Sequence, residues 1–350
     1  GNFKDQLIPA LTAEFSGHSN LFRTNNYETH VHFKIAYPED APEIKLERFS
    51  PAAKGFTFKG KLLETGDLIF GNGGFNGSTQ TKVENGQVLN RQNKISVEGI
   101  QTDLFIGQLA NLRSAPGQQI KFAKASFGGL NIENGKVDFQ IESNRSVLIE
   151  KGRFSWCDGK VEAPAIRLTS GAEDYNLILY CDRLNLAKVL EQFSAAQVEA
   201  EGELNGKIDL RYQNGILSFD DGFLYSTPGE PGKIRMVDTE ILTAGVPKDT
   251  PQYTQMELAR KALEDYDYSW AKLNFTTEGE DVLLKMQLDG KPANPLPFVY
   301  RKDIGSFARI EAGVEGSRFQ GIRLDVNFRL PLNKLMQYKD LIRMIQQEKE

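Results

Sequence analysis

Residues 322–330 read Ile-Arg-Leu-Asp-Val-Asn-Phe-Arg-Leu, an unbroken alternation of apolar and polar side chains. Successive residues of an extended chain point to opposite sides, so Ile322, Leu324, Val326, Phe328 and Leu330 share one face and the charged and amide groups the other. This is the pattern of a strand buried on one side and wet on the other. The same period of two recurs in Val31, Phe33, Ile35 and Tyr37, in Val137, Phe139 and Ile141, in Ile208, Leu210 and Tyr212, and in Val282, Leu284, Met286 and Leu288. Between these runs stand Asn85-Gly86, Asn134-Gly135, Asp158-Gly159, Asn214-Gly215, Asp221-Gly222 and Asp289-Gly290, pairs that supply the positive φ of tight hairpins. Turn signals often fall roughly ten residues apart, which predicts a meander of consecutive hairpins with little room for crossover helices.

Three stretches carry helical periodicity instead. Residues 184–193 place Leu186, Val189, Leu190 and Phe193 on one stripe, a short amphipathic helix lying on a sheet. Residues 250–268 begin with Thr250 as a cap and Pro251 at the first helical position, with Met256, Ala259, Leu263 and Tyr266 on the apolar side. Residues 333–348 carry Leu335, Tyr338, Leu341, Ile342 and Ile345, a helix suited to covering a sheet edge. The glycine-rich stretch 70–76 and the Ala115-Pro116-Gly117 segment are expected as loops, and the polar stretch 79–93 as an edge or mobile segment near a soft boundary.

With 350 residues, 32 glycines and 22 phenylalanines, the chain suits one elongated repetitive sheet better than a compact domain. A net charge of -5 without a dense basic cluster argues against nucleic acid as a partner. No run of 18 apolar residues is present. The start of the chain is expected to be a truncation, with any export signal or anchor lying upstream. Stretch 70–76 lacks the Lys-Ser/Thr of a phosphate loop. Cys157 and Cys181 have no zinc spacing, and flat alternation sets them on opposite faces, although pairing in an oxidising compartment stays open. His30 and His32 share one side of a strand, but no third ligand or general base is evident beside them, so they are expected as a surface pair. Asp220-Asp221-Gly222 lacks the ligand spacing of a calcium loop, and no Gly-x-Ser-x-Gly occurs. The expectation is therefore a non-enzyme with no catalytic residues, no metal and no cofactor. Carboxylate pairs assembled in space for glycoside cleavage stay open.

Residues 201–235, EGELNGKIDLRYQNGILSFDDGFLYSTPGEPGKIR, follow the Leu-rich stretch LNLAKVLEQF. This arrangement resembles the C-terminal region of YdbH-type proteins within the wider AsmA-like family (TamB, YhdP, YdbH). Gly202, Leu204 and Gly206 match the family's Gly-x-Leu-x-Gly strand start, and Pro228, Gly229 and Gly232 its Pro-Gly-x-x-Gly crossing. Downstream, MELARKALEDYDYSWAKLNFTTEGEDVLLKMQLDGKPA is similar to the family's helix and Leu-rich hairpin, and GIRLDVNFRLPLNKLM to its closing strand and helix. The resemblance is specific over residues 147–335 and weaker before, where GGLNIENGKVDFQIE carries only general AsmA-like repetition.

The resemblance implies a mainly β fold, an elongated, antiparallel, twisted β-groove shaped like a taco, with a few short amphipathic helices. Residues 1–145 would form an N-terminal β-rich part of the groove and residues 146–350 a YdbH-like C-terminal part. It implies a protein of the Gram-negative cell envelope, in the periplasm and tethered to the inner membrane through a missing segment. Its task would be phospholipid transport between inner and outer membranes, with acyl chains held in an apolar groove. Phe219, Phe223, Leu273, Phe275, Leu284, Met286, Leu324, Val326 and Phe328 are the expected lipid-groove residues. A small outer-membrane lipoprotein would join by strand addition at a free edge. The older family label of dicarboxylate transport finds no converging Arg or Lys pair. The rival reading is a structural or adhesive envelope protein that binds a partner or glycan through its exterior, and from alternation alone the apolar residues are equally those of an ordinary packed core.

Overall fold

The computed structural model describes residues 2–4, 8, 10–20, 27–71, 74–127, 130–172, 174–193, 198–213, 216–237, 243, 246–248, 250–279, 281–303, 305–310 and 315–331. The first half runs through β1 (Asn2–Lys4), β2 (Thr12–Asn20), β3 (Glu28–Tyr37), β4 (Ile44–Lys45), β5 (Thr57–Gly71), β6 (Gly74–Asn90), β7 (Ile95–Gln108), β8 (Arg113–Ser114), β9 (Gln118–Phe127) and β10 (Leu130–Ser143). It continues through β11 (Ser146–Trp156), β12 (Gly159–Ala163), β13 (Ile166–Thr169), β14 (Asp174–Asn185), α1 (Leu186–Phe193), β15 (Val198–Ala200), β16 (Glu203–Gln213), β17 (Ile216–Phe219), β18 (Gly222–Ser226) and β19 (Gly232–Met236). Last come α2 (Pro251–Leu263), β20 (Tyr266–Glu278), β21 (Asp281–Pro292), β22 (Phe298–Arg301), β23 (Ser306–Arg309) and β24 (Ile322–Pro331).

Each long strand pairs antiparallel with its neighbours in the meander, so one open sheet passes from β1 to β24, and only the hairpin β22–β23 stands apart. The sheet crosses positions 145 and 146 without a break, Ser143 facing Ser146 across the β10–β11 hairpin. Mainly β, open and antiparallel, the architecture is that expected of a β-groove. The runs read as strands are strands: 31–37 in β3, 137–141 in β10, 208–212 in β16, 282–288 in β21 and 322–330 in β24.

Several Asn-Gly and Asp-Gly pairs do something other than turn the chain. Asn85 (φ 50°) and Asn134 (φ 52°) lie inside β6 and β10, where the pairing register slips. Asp289-Gly290 is likewise interior to β21. At Asn85 and Asn134 the positive φ is used for a β-bulge, which bends a strand and lets the chain continue. Stretch 79–93 is consequently mostly interior strand β6 between β5 and β7, not an edge. The turn expected at Asp158-Gly159 falls one residue earlier: Cys157 and Asp158 (φ 47° and 61°) close β11 onto β12 with Trp156 opposite Gly159, the primed geometry of a tight hairpin. Stretch 70–76, expected as a loop, is strand wherever it is described, Phe70 and Gly71 ending β5 and residues 74–76 beginning β6 with Gly71 facing Gly74.

The bulges align from strand to strand. A Cβ on Gly60 (φ +144°) would lie 2.7 Å from the Cα of Gly86, and one on Gly135 would enter the Phe122 ring at 1.8 Å. Between them Gly86 faces Ile100, next to Gly99 (φ +67°). At each crossing the better-buried side chains change parity, from Val88 to Val83 on β6, from Val97 to Thr102 and Leu104 on β7, and from Ile132 to Val137 on β10. The local bends therefore sum to one crease across the sheet, which folds its apolar face inward.

The described helices are α1 and α2. In α1, Leu186, Val189 and Leu190 are buried as the stripe predicts, while the Phe193 side chain lies outside the described residues. Thr250 caps α2, its hydroxyl accepting from the Tyr253 amide at 3.2 Å. The helix stops at Leu263, short of 268, because Tyr266 already begins β20. Its buried stripe is Glu257, Leu258, Ala262 and Leu263, rotated from the predicted one toward the element it packs on. The helix expected at 333–348 lies outside the described residues.

The crease predicts the cost of filling it. Gly60→Val, which forces both a disfavoured φ and a backbone clash, is expected to lower the urea unfolding free energy by about 1–3 kcal/mol. Gly74→Val at the hairpin end, where a Cβ meets nothing within 4 Å despite a positive φ, should cost less in the same measurement.

Candidate functional site

Cross-strand neighbours on one face of a sheet touch, and register makes that face continuous. One row runs Tyr37, Leu62, Val83, Thr102, Ile120, Val137, Gly152, Ala163 from β3 to β12. Two residues along β11 and β12 on the same face, a second row runs Phe154, Val161, Cys181, Gly206, Leu224, Leu273, Met286, Val326 out to β24. A single apolar surface thus extends from β3 to β24.

Its two ends are finished differently. On the C-terminal side the surface is covered by α1 and α2, and Leu224, Leu273, Phe275, Leu284 and Met286 sit in one packed cluster with Val189, Leu190, Ala262 and Leu263, at 0–1% exposure. Tyr268 and Ser226, buried there, have hydrogen-bond partners. The Tyr268 hydroxyl donates to the Glu201 carbonyl at 2.6 Å, and the Ala271 amide to the Ser226 hydroxyl at 3.0 Å. Burial pushes the Tyr268 phenol up to about 12, so it stays a donor. The buried Glu257 carboxylate on α2 accepts from Arg309 at 3.1 Å, with Arg260 at 3.7 Å, and so pins the β22–β23 hairpin to the helix.

Of the residues expected to line a lipid groove, Leu273, Phe275, Leu284, Met286, Leu324 and Val326 come together in that cluster, and Phe219 packs on it with its ring 6.3 Å from Phe275. Phe223 does not join them. It faces Lys207 and Asn274 across the sheet, on the side opposite Leu224, with the Lys207 and Lys272 ammonium groups 5.9 and 5.7 Å from its ring. Alternation along β18 allows only one of Phe223 and Leu224 inside, and Leu224 takes that place. The backbone of Phe328 pairs with Leu284, and its side chain lies outside the described residues.

On the N-terminal side no α-helix lies among the described residues to cover the same face. Leu62, Val83, Leu104, Ile106, Ile120, Val137, Ile141 and Ile149 are half-buried. At the open end Phe15, opposite buried Phe33, is 42% exposed, and Phe70 and Phe75 are 39% and 44% exposed with rings 5.3 Å apart. A far corner closes through Ile8, Tyr37, Ala41, Ile44 and Phe58, and Ile95, Ala125 and Phe139 are buried within the strands. Sequence reading missed the β6 and β7 part of this stretch because each of these strands changes parity at its bulge, which breaks the run of alternation. The available signal was an alternation of opposite phase on either side of Asn85-Gly86 and of Asn134-Gly135.

The outer face is polar and largely paired, with Lys61–Glu84, Lys151–Glu162 and Arg167–Glu142 at 2.7–2.8 Å. A concavity of about 480 Å³ lies over Lys82, Gln101, Asp103, Gln119 and Lys121. Its charged and amide lining offers nothing to an apolar ligand. Cys157, in the β11–β12 turn, and Cys181, in the core, are both free. No helix among the described residues is long and apolar enough to cross a membrane.

A family model described as YdbH-like, intermembrane phospholipid transport protein YdbH, matches residues 49–293, from before β5 to beyond β21 and well over half of the chain. No curated protein and no solved structure matches.

Two measurements probe the closed end. Burial pushes both thiols up to about 12, so at pH 8 a disulfide reagent is expected to leave Cys157 and Cys181 unmodified until denaturant is added. Fast labelling in the native state would contradict the packing. Phe275→Ala should cost about 3–5 kcal/mol in chemical unfolding, whereas Phe75→Ser should stay within about 0.5 kcal/mol.

Proposed function

The chain belongs to the YdbH-like family, and on that premise we propose that it carries phospholipid between two membranes with the acyl chains lying on the half-buried face of β5 to β11. The observation that carries this reading is the contrast along one continuous apolar surface, packed under α1 and α2 at one end and left half-exposed at the other. Uncovered aliphatic surface on this scale marks a place where something apolar docks. At about 4.8 Å per strand the open stretch from β5 to β11 is roughly 25 Å long, which exceeds the roughly 15 Å of one acyl chain in a bilayer leaflet. Each buried methylene contributes about 0.8 kcal/mol without directional demands, so a chain can shift from row to row at similar energy while its head group stays in water.

In this reading the closed C-terminal cluster is a scaffold. Leu273, Phe275, Leu284 and Met286 hold the sheet under its helices, and lipid contact belongs to Leu104, Ile106, Ile120, Val137 and their neighbours. Phe219 and Leu324 belong with the scaffold as well. The protein acts in the periplasm and without catalytic chemistry. Beyond β24, whose outer edge has no partner strand among the described residues, a small outer-membrane lipoprotein can extend the sheet by one strand.

The test is lipid content. Protein purified from its native envelope is expected to release phospholipid on solvent extraction, detected by mass spectrometry. Leu104→Arg and Ile120→Arg should each reduce that amount several-fold with little change in melting temperature, because the substituted positions are already half in water. Leu284→Arg should instead prevent folding. Unchanged lipid content in both N-terminal variants would remove the proposed wall, and a lipid-free wild type would remove the transport reading for this region.

A further inference from the structure

All three histidines of the chain meet on one patch of the outer face, although they come from different strands. His30 and His32 are two residues apart on β3 and share its outer side. His18 on β2 stands directly opposite His30, the rings parallel within 3° and 4.9 Å apart between centroids. Asp67 on β5 stands directly opposite His32.

Each of the β3 imidazoles already has a carboxylate on one nitrogen. His32 Nδ1 lies 3.0 Å from Asp67 Oδ1, and His30 Nε2 contacts Glu28 Oε1. An ionised carboxylate only accepts, so in the neutral rings the proton sits on His32 Nδ1 and on His30 Nε2. The remaining lone pairs, on His32 Nε2 and His30 Nδ1, are left for another partner. A carboxylate on the far nitrogen is the arrangement that fixes ring tautomer and raises donor strength in metal-ligating histidines.

From this geometry we propose that His18, His30 and His32 form a surface site for a late first-row divalent cation such as Zn²⁺ or Cu²⁺, with Glu28 and Asp67 as positioning carboxylates. Imidazole nitrogens suit these ions, and oxygen-preferring Mg²⁺ or Ca²⁺ would be excluded. Among the described residues no three such donors converge on one point as the side chains stand. Closing round an ion requires the rings to rotate together with their carboxylates, and the side chains are exposed enough to do so, His30 and His32 being 40% and 57% accessible. The ion would tie β2 to β3 where β2 beyond Glu14 has no strand on its other side among the described residues.

Isothermal titration of the 350-residue chain with Zn²⁺ is expected to show one saturable site, and Cu²⁺ electron paramagnetic resonance to show splitting from at least two nitrogen ligands. His30→Ala should weaken Zn²⁺ by at least about tenfold, and Asp67→Asn should weaken it about tenfold while leaving the nitrogen count unchanged. The triple variant His18→Ala, His30→Ala, His32→Ala should lose both signals. These side chains are exposed, so circular dichroism and melting without metal should match the wild type, and added Zn²⁺ should raise the melting temperature of the wild type only. Absence of a saturable Zn²⁺ site in the wild type, or equal affinity in the triple variant, would overturn the assignment. So would a Cu²⁺ signal without nitrogen splitting.

Discussion

One face of a continuous antiparallel sheet has to be taken out of water, and most of what the chain does follows from how it meets that demand. Backbone hydrogen bonds join neighbour to neighbour from β1 to β24, and their register lines up apolar side chains in rows. A flat sheet of this extent would present the whole of that face to solvent. Bending it along the Gly60, Gly86, Gly99 and Gly135 crease turns the face on itself, and the two short helices cover a part the bend does not enclose.

The halves differ in what they retain for function. At the C-terminal end, α1, α2 and the β22–β23 hairpin, locked by Glu257 and Arg309, exclude water completely from Phe275, Leu284 and Met286. Side chains there pack against one another at 0–1% exposure. Toward the N-terminus the same rows pass through Val83, Thr102 and Ile120 with no covering element described, so their burial is incomplete. In the proposed reading, this half-exposed surface gains from an acyl chain what the C-terminal rows gain from helices.

The outer face obeys a different rule. Its carboxylates and ammonium groups pair across strands, as in Lys61 with Glu84 and Arg167 with Glu142, where hydrogen bonds from the lysine and arginine lower the pKa of each acid. Such exposed pairs contribute little stability but keep the face wet and specify register. The histidines belong to this polar face, and their meeting on β2 and β3 is a product of register alone.

By itself the sequence determined the strands, their one-sided burial, the meander and the short helix after β14, because period-two and period-three-to-four patterns are local properties of consecutive residues. It also carried the family likeness through the Gly202 to Gly232 segment, where spacing survives as a linear signature. Tertiary structure alone decided which greasy rows were closed and which stayed open. Whether Leu284 is core or wall depends on α2, far from it in sequence, lying over it, and whether Asn134-Gly135 turns or bulges depends on the strands on either side continuing past it. Coverage and closure are properties of non-local contacts, and those have no imprint in the order of neighbouring residues.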